Sequence, residues 1–176
     1  MNDLIYMEPL SPKMFDKYIQ VGTKAYNEHY THLWANADTS PYVQESFTHT
    51  VLKEEHSDAN TQFFLIKKHG IYVGIVKLII DCAIDGYSKK EALYLDKIYI
   101  IKEAVGQGIG TKTLEFILLR AKEANKKLVW LATMQKGPAL NFYKQHGFYV
   151  HSTTEVKFEH VLDEEKPMFI MKKKIL

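Results

Sequence analysis

The alternation of apolar and polar residues divides the chain into stretches of two different periods. Residues 4–7 read as a short strand. Ser11-Pro12 then opens a helix, because serine caps well and proline suits the first helical position. Phe15, Tyr18, Ile19 and Gly22 continue it at helical spacing. The same cap-and-proline signature at Ser40-Pro41 predicts a second helix, with Tyr42, Phe47 and Val51 as its apolar positions. Residues 26–39 lie between the two, rich in aromatics and histidines, and read as a loop.

Residues 61–67 and 71–80 flank a His69-Gly70 turn and predict a β-hairpin, with a further strand over 91–101. Leu114, Ile117, Leu118 and Ala121 then fall at i, i+3, i+4 and i+7, a helix with one buried face. Residues 128–132 form a continuous apolar run, the pattern of a strand covered on both faces. Residues 138–146 predict a short helix with Ala139, Phe142, Tyr143 and His146 on one stripe and Gly147 at its C-cap. Strands over 148–157 and 167–174 close the chain. The order β-α-α-β-β-β-α-β-α-β-β predicts a single α/β domain over residues 1–176. Its mixed sheet is mostly antiparallel, with one strand–helix–strand unit paired in parallel and helices on both faces.

Composition narrows the function. With 176 residues, 46% of them hydrophobic, the chain can bury a core as one domain. Twenty-three basic against 21 acidic residues leave no nucleic-acid footprint, and the run Lys172-Lys173-Lys174 reads as the solvated end of the last strand. No apolar run approaches the ~20 residues of a membrane helix, and Met1-Asn2-Asp3-Leu4 lacks the start of an export signal. The one cysteine, Cys82, reads as a small core residue, and the expected setting is reduced and cytoplasmic.

The segment Val105-Gly106-Gln107-Gly108-Ile109-Gly110-Thr111 stands between a strand and a helix start. Free backbone N–H groups at the positive end of a helix dipole suit a phosphate or pyrophosphate there. A dinucleotide fingerprint needs G-x-G-x-x-G, whereas these glycines fall as G-x-G-x-G, with Thr111 in the third slot. A P-loop needs Gly-Lys-Ser/Thr, and this chain has Gly110-Thr111-Lys112.

Two motifs carry a resemblance over almost the full length. Lys97-Ile98-Tyr99-Ile100, followed by Gly106-Gln107-Gly108-Ile109-Gly110, is similar to the strand and pyrophosphate loop of the GNAT superfamily of acyl-CoA-dependent N-acyltransferases. The segment Ala139-Leu140-Asn141-Phe142-Tyr143-Lys144-Gln145-His146-Gly147-Phe148 resembles that family's Ala-x-x-Phe-Tyr-x-x-x-Gly-Phe. Within the superfamily the N-terminal layout looks most like bacterial spermidine/spermine (polyamine) N-acetyltransferases. Val105 stands where an Arg or Gln usually opens the loop motif, and Lys136 where an Asn is frequent; Lys136 or Lys112 would restore positive charge near a phosphate.

The resemblance implies a GNAT fold whose central parallel pair splays apart after Ile100 to hold acetyl-CoA as the acetyl donor. Backbone groups of Ile98 and Ile100 would hold its pantetheine arm, and one such N–H would face the thioester oxygen as that gains charge. It implies residues 105–111 as the pyrophosphate site and Tyr143 as the acid that protonates the leaving thiolate. Asp96, two residues before Ile98 and so expected on the same strand face, is a candidate to take the amine's proton, directly or through water. Glu28, Tyr30, Trp34 and Asp81 are candidates to bind a cationic acceptor through charge and stacking. His29 and His32, three apart without supporting ligands, do not read as a metal site. The expected activity is acetylation of a primary amine, polyamine-like, with two alternatives: a peptide or protein amine as acceptor, or an acyl-CoA-binding regulatory module without catalysis. Exposed edges of the last strands fit a homodimer.

Overall fold

A computed structural model describes residues 4–176, so the reading of the N-terminus from Met1, Asn2 and Asp3 lies outside the described residues. The seven strands are β1 (Ile5–Pro9), β2 (Thr61–Lys68), β3 (Ile71–Ile79), β4 (Ala92–Ile100), β5 (Leu128–Met134), β6 (Tyr149–Glu155) and β7 (Pro167–Lys174). They form one sheet in the order β1-β2-β3-β4-β5-β7-β6. Among the described strands, only the pairing of β4 with β5 is parallel. The helices are α1 (Phe15–Tyr30), α2 (Ser40–Ser46), α3 (His49–Ser57), α4 (Ile109–Glu123) and α5 (Pro138–Gln145).

Neighbouring residues of β2 show the layering. Phe63 meets Tyr18 of α1 edge-on at 5.4 Å, while Phe64 meets Phe116 of α4 at 5.0 Å. Successive strand side chains point to opposite faces, so one helical layer covers each side of the sheet. The mixed sheet and its two layers are those the sequence predicts.

Three local expectations are corrected. Helix α1 runs to Tyr30, so residues 26–30 are helical and not loop. No glycine or proline follows Gly22 before Tyr30 to stop it, and Lys24 and Glu28 sit 3.8 Å apart one turn from each other. The helix expected from Ser40 divides at Phe47, whose backbone is non-helical (φ −129°, ψ 57°). The Phe47 ring fills the space above Gly22, where a Cβ would come within 2.5 Å of it, and Thr48 restarts the helix by accepting a bond from the Val51 N–H at 3.2 Å. The run at 172–174 is not simply solvated: Lys172 is 2% exposed and donates to the Asp85 carbonyl.

Two irregularities open the centre of the sheet. Lys77 of β3 faces Lys97, while Leu78 faces Leu95, so Asp96 is an extra residue bulged out of β4. The parallel pairing of β4 with β5 stops at Tyr94↔Trp130. The fork therefore begins six residues before Ile100, and the stacked rings of Tyr94 and Trp130, 4.1 Å apart, stand at its base. Among the described residues no helix is long and apolar enough to cross a membrane, and no cluster of His, Cys, Asp and Glu could hold a metal ion.

Candidate active site

Two clefts meet at the fork. One, of about 440 Å³, runs from residues 104–111 across Ile98 and Ile100 to α5. The other, of about 530 Å³, lies among α1, α2, β4, β5 and the end of β6. Tyr30, Ile98 and Tyr143 line both.

The first cleft has the features of an anion and acyl-chain cradle. Gly106 and Gly108 adopt φ of +79° and +75°, and a Cβ at either would meet open space. Gly108 caps α4, whose first N–H groups have no intrahelical acceptor. Gly110 serves packing, since its Cβ would come 3.3 Å from the Phe142 ring. Val105, Gly106, Gly108, Gly110 and Thr111 line the cleft. Ile109 is buried beneath the helix. The Gln107 side chain turns back to the Glu103 carbonyl (2.9 Å) and accepts a bond from Lys68 (2.9 Å). Lys136 lines the cleft, whereas Lys112 is exposed and paired with Glu115. The Thr111 hydroxyl lies 3.2 Å from His146 Nε2, and His146 Nδ1 donates to the Phe142 carbonyl at 2.7 Å, which ties α4 to α5.

Polar groups alternate along β4. The Ile101 N–H bonds the Val73 carbonyl on the β3 side, so the N–H and C=O of Ile98 and Ile100 point into the fork. Apart from the Ile100 carbonyl, which the His29 ring already meets at 2.8 Å, these backbone groups, the glycine turn and the apolar walls fit an acyl-CoA. Gly108→Ala forces a side chain into left-handed backbone at about 1–2 kcal/mol, and the turn relaxes away from its binding geometry. The expected result is an about ten-fold weaker CoA titration by calorimetry.

The second cleft is walled by aromatic rings. Tyr26 stacks on Tyr42 at 4.0 Å, and the Tyr42 and Tyr99 hydroxyls share a 2.5 Å hydrogen bond. Burial, reinforced by Tyr42, pushes the Tyr30 hydroxyl up to about 12. Burial, followed by Tyr30, also lifts the Tyr143 hydroxyl well above the ordinary phenol range. Tyr143 therefore keeps its proton at neutral pH.

The bulge puts Asp96 on the face of Lys97, not of Ile98, which overturns the alternation expected from sequence. Its carboxylate lies 2.9 Å from the Lys97 ammonium and 3.2 Å from that of Lys77, which in turn pairs with Glu55 of α3 at 2.7 Å. Burial pushes the Asp96 carboxyl up, but the two ammonium groups outweigh it and hold the group below the ordinary range. Lys97 is held above its own range: burial opposes the charge, and Tyr42 and Asp96 more than offset it.

Of the four acceptor-binding candidates only Tyr30 lines the cleft. Glu28 accepts a bond from the Lys102 N–H at 2.6 Å. Trp34 is 3% exposed and donates to the Tyr26 hydroxyl at 3.0 Å. Asp81 sits just beyond β3, held by Lys126 and by Lys90, which lower its carboxyl to about 2. The rings of Tyr42, Tyr94, Tyr99 and Trp130 line it too, with no signal in the sequence that sets them apart from packing residues. The contact of His29 Nε2 with the Ile100 carbonyl, at 2.8 Å, had no sequence signal.

A mixed sheet forked at its parallel pair, with a glycine turn beside the fork, is the architecture of an acyl-CoA-dependent acyltransferase. The chain belongs to the Acetyltransferase (GNAT) family, whose sequence model matches residues 24–148. Enzymes of this family take their acetyl group from acetyl-CoA. An uncharacterized N-acetyltransferase in the pepI 3′ region of Lactobacillus delbrueckii subsp. lactis is 23% identical over 171 residues, 95% of each chain. The PaiA N-acetyltransferase of Thermoplasma acidophilum, solved with coenzyme A, superposes with a TM-score of 0.77 at 19% identity, over 97% of this chain and 99% of that one. A chimeric spermidine N-acetyltransferase SpeG from Vibrio cholerae superposes at 0.72 with 15% identity, over 97% and 95%.

Proposed function

We propose that the enzyme acetylates the primary amine of a small acceptor, a polyamine or a similar alkylamine. The observation that carries this reading is the meeting of two clefts at Tyr143 and Ile98, one suited to the donor and the other aromatic and partly acidic. Glu45 lines the second cleft and has no ion pair among the described residues. Glu155 lines it as well, and its 3.4 Å pair with Lys157 is exposed. A carboxylate at an aromatic wall suits an alkylammonium with a second charge.

The residues then divide the work. Acetyl-CoA supplies an activated acetyl group. The glycine turn and the α4 N-terminus take its pyrophosphate. The backbone of Ile98 aligns the arm, and its N–H is placed to stabilise charge that develops on an acyl oxygen. Tyr143 donates its hydroxyl proton to the leaving sulfur. A free thiol titrates at ~8.5 and a phenol at ~10; burial, which lifts Tyr143, also disfavours a bare thiolate, so proton donation keeps its value in the cleft. Asp96 is committed to two ammonium groups and is a poor base. An alkylamine, with a pKa near ~10.4, loses its proton to water through the cleft mouth.

The test is CoA-thiol release from acetyl-CoA across spermidine, spermine, short monoamines, amino acids and a lysine peptide. Saturable release, highest with the diamine-containing acceptors, is expected. A preference for the peptide would move the acceptor to a protein amine. No release with any amine, despite CoA binding, would leave a regulatory module.

A further inference from the structure

Helix α1 overruns its expected end, and its last two turns reach the point where β4 leaves the sheet. The Glu28 carboxylate accepts from the Lys102 N–H at 2.6 Å, and the adjacent His29 ring sits 2.8 Å from the Ile100 carbonyl, so its Nε2–H donates. One turn earlier, Lys24 donates to Glu103 at 3.2 Å, and the Glu103 carbonyl accepts from Gln107 inside the glycine turn. Three side chains of one helix thus hold residues 100–103, the segment joining the fork to the phosphate cradle. The same helix carries Tyr26 and Tyr30 into the acceptor cleft.

We infer that Glu28 and His29 form a clamp from α1 onto the exit of β4 that positions the donor site. This rests on the reading of the fork and glycine turn as the acyl-CoA site. The physical argument concerns free backbone. Beyond Tyr94 the fork side of β4 has no strand partner, and there α1 supplies hydrogen bonds to the Ile100 carbonyl and the Lys102 N–H. By donating to the Ile100 carbonyl, His29 satisfies the last fork-facing acceptor and leaves the polar groups of Ile98 directed at the donor. By accepting from Lys102, Glu28 sets the direction in which the chain enters the turn at Gly106 and Gly108. The Glu28 carboxylate makes a charge-assisted bond, which pins backbone more firmly than a neutral one. Neither residue touches the reacting atoms; both are positioning residues.

The experiment compares His29→Ala and Glu28→Ala with His29→Gln and Glu28→Gln, which keep an N–H donor and a carbonyl acceptor respectively. CoA affinity is read by titration calorimetry, and KM for acetyl-CoA separately from kcat. The clamp predicts about ten-fold weaker CoA binding in each alanine variant, recovery of most of that affinity in each glutamine variant, and a loss that falls on KM rather than kcat. If an alanine variant fails to fold, Glu28→Asp, with a carboxylate too short to reach, takes its place and is expected to bind more weakly than Glu28→Gln. Equal affinity in all variants would overturn the clamp, and so would a loss confined to kcat. If the wild-type protein itself does not bind CoA, the donor-site reading falls first, and the clamp with it.

Discussion

Replacing Tyr143 by Phe is expected to lower kcat by about 10²–10⁴-fold, the range in which a positioned general acid contributes, while CoA still binds. The ring is retained, so its edge contact with Phe148 at 5.6 Å and the fold of α5 survive. Only the hydroxyl at the junction of the clefts is lost. The elevated Tyr143 pKa fixes the accompanying pH behaviour. A phenol lifted by burial stays protonated beyond pH ~10, so the wild-type rate should rise with pH as the amine loses its proton, with no falling limb from this residue below that point. Stopped-flow and steady-state thiol release with both proteins check the size of the effect and the shape of the profile. A variant with wild-type kcat would remove Tyr143 from the chemistry.

Asp96→Ala is expected to cost about 3 kcal/mol, because it leaves two largely buried ammonium groups, Lys77 and Lys97, without their shared carboxylate. For a chain of this length that is about 6–12 °C in Tm. The side chains concerned are 19, 11 and 9% exposed for Asp96, Lys77 and Lys97, so solvent screening is weak. The pH dependence follows from the directions of the two shifts. The Asp96 pKa is lowered in the fold, so its contribution is present above the unfolded carboxyl value of ~3.9 and is lost as pH falls through the folded one. The Lys97 pKa is raised, so its contribution is present below ~10.4 and disappears only as pH rises through its higher folded value. Differential scanning calorimetry should therefore show a constant gap between wild type and variant from about pH 5 to 9, closing in acid. A gap that opens in acid would contradict the ion-pair account.

Much of the architecture was legible because it is periodic. The strand limits of β7 and the helix after the glycine turn follow from patterns of two and 3.6 residues. The two motifs place the loop and Tyr143 because the chemistry there depends on backbone and on one hydroxyl in a short helix. What the sequence hid is set by contacts between distant residues. The bulge at Asp96 breaks strict alternation, yet its partner Lys77 comes from another strand, and the second carboxylate on that lysine, Glu55, from a helix. Asp81 looked free to bind a cation, but Lys126, 45 positions away, already holds it. Trp34 looked like a stacking platform; in the fold it is core, packed on Phe158 at 5.2 Å. The split at Phe47 comes from a ring seated over Gly22, a packing event with no local signature. Glu28, Trp34 and Asp81 each have structural partners in the fold, and those partners come from distant positions or from packing that a local pattern does not show.

The most direct test of the account is a crystal structure with bound CoA. The account predicts the arm lying in the fork along Ile98, the pyrophosphate at Gly106 and Gly108, and the sulfur within hydrogen-bond reach, about 3.5 Å or less, of the Tyr143 hydroxyl. CoA bound outside the fork, or a sulfur remote from Tyr143, would contradict it.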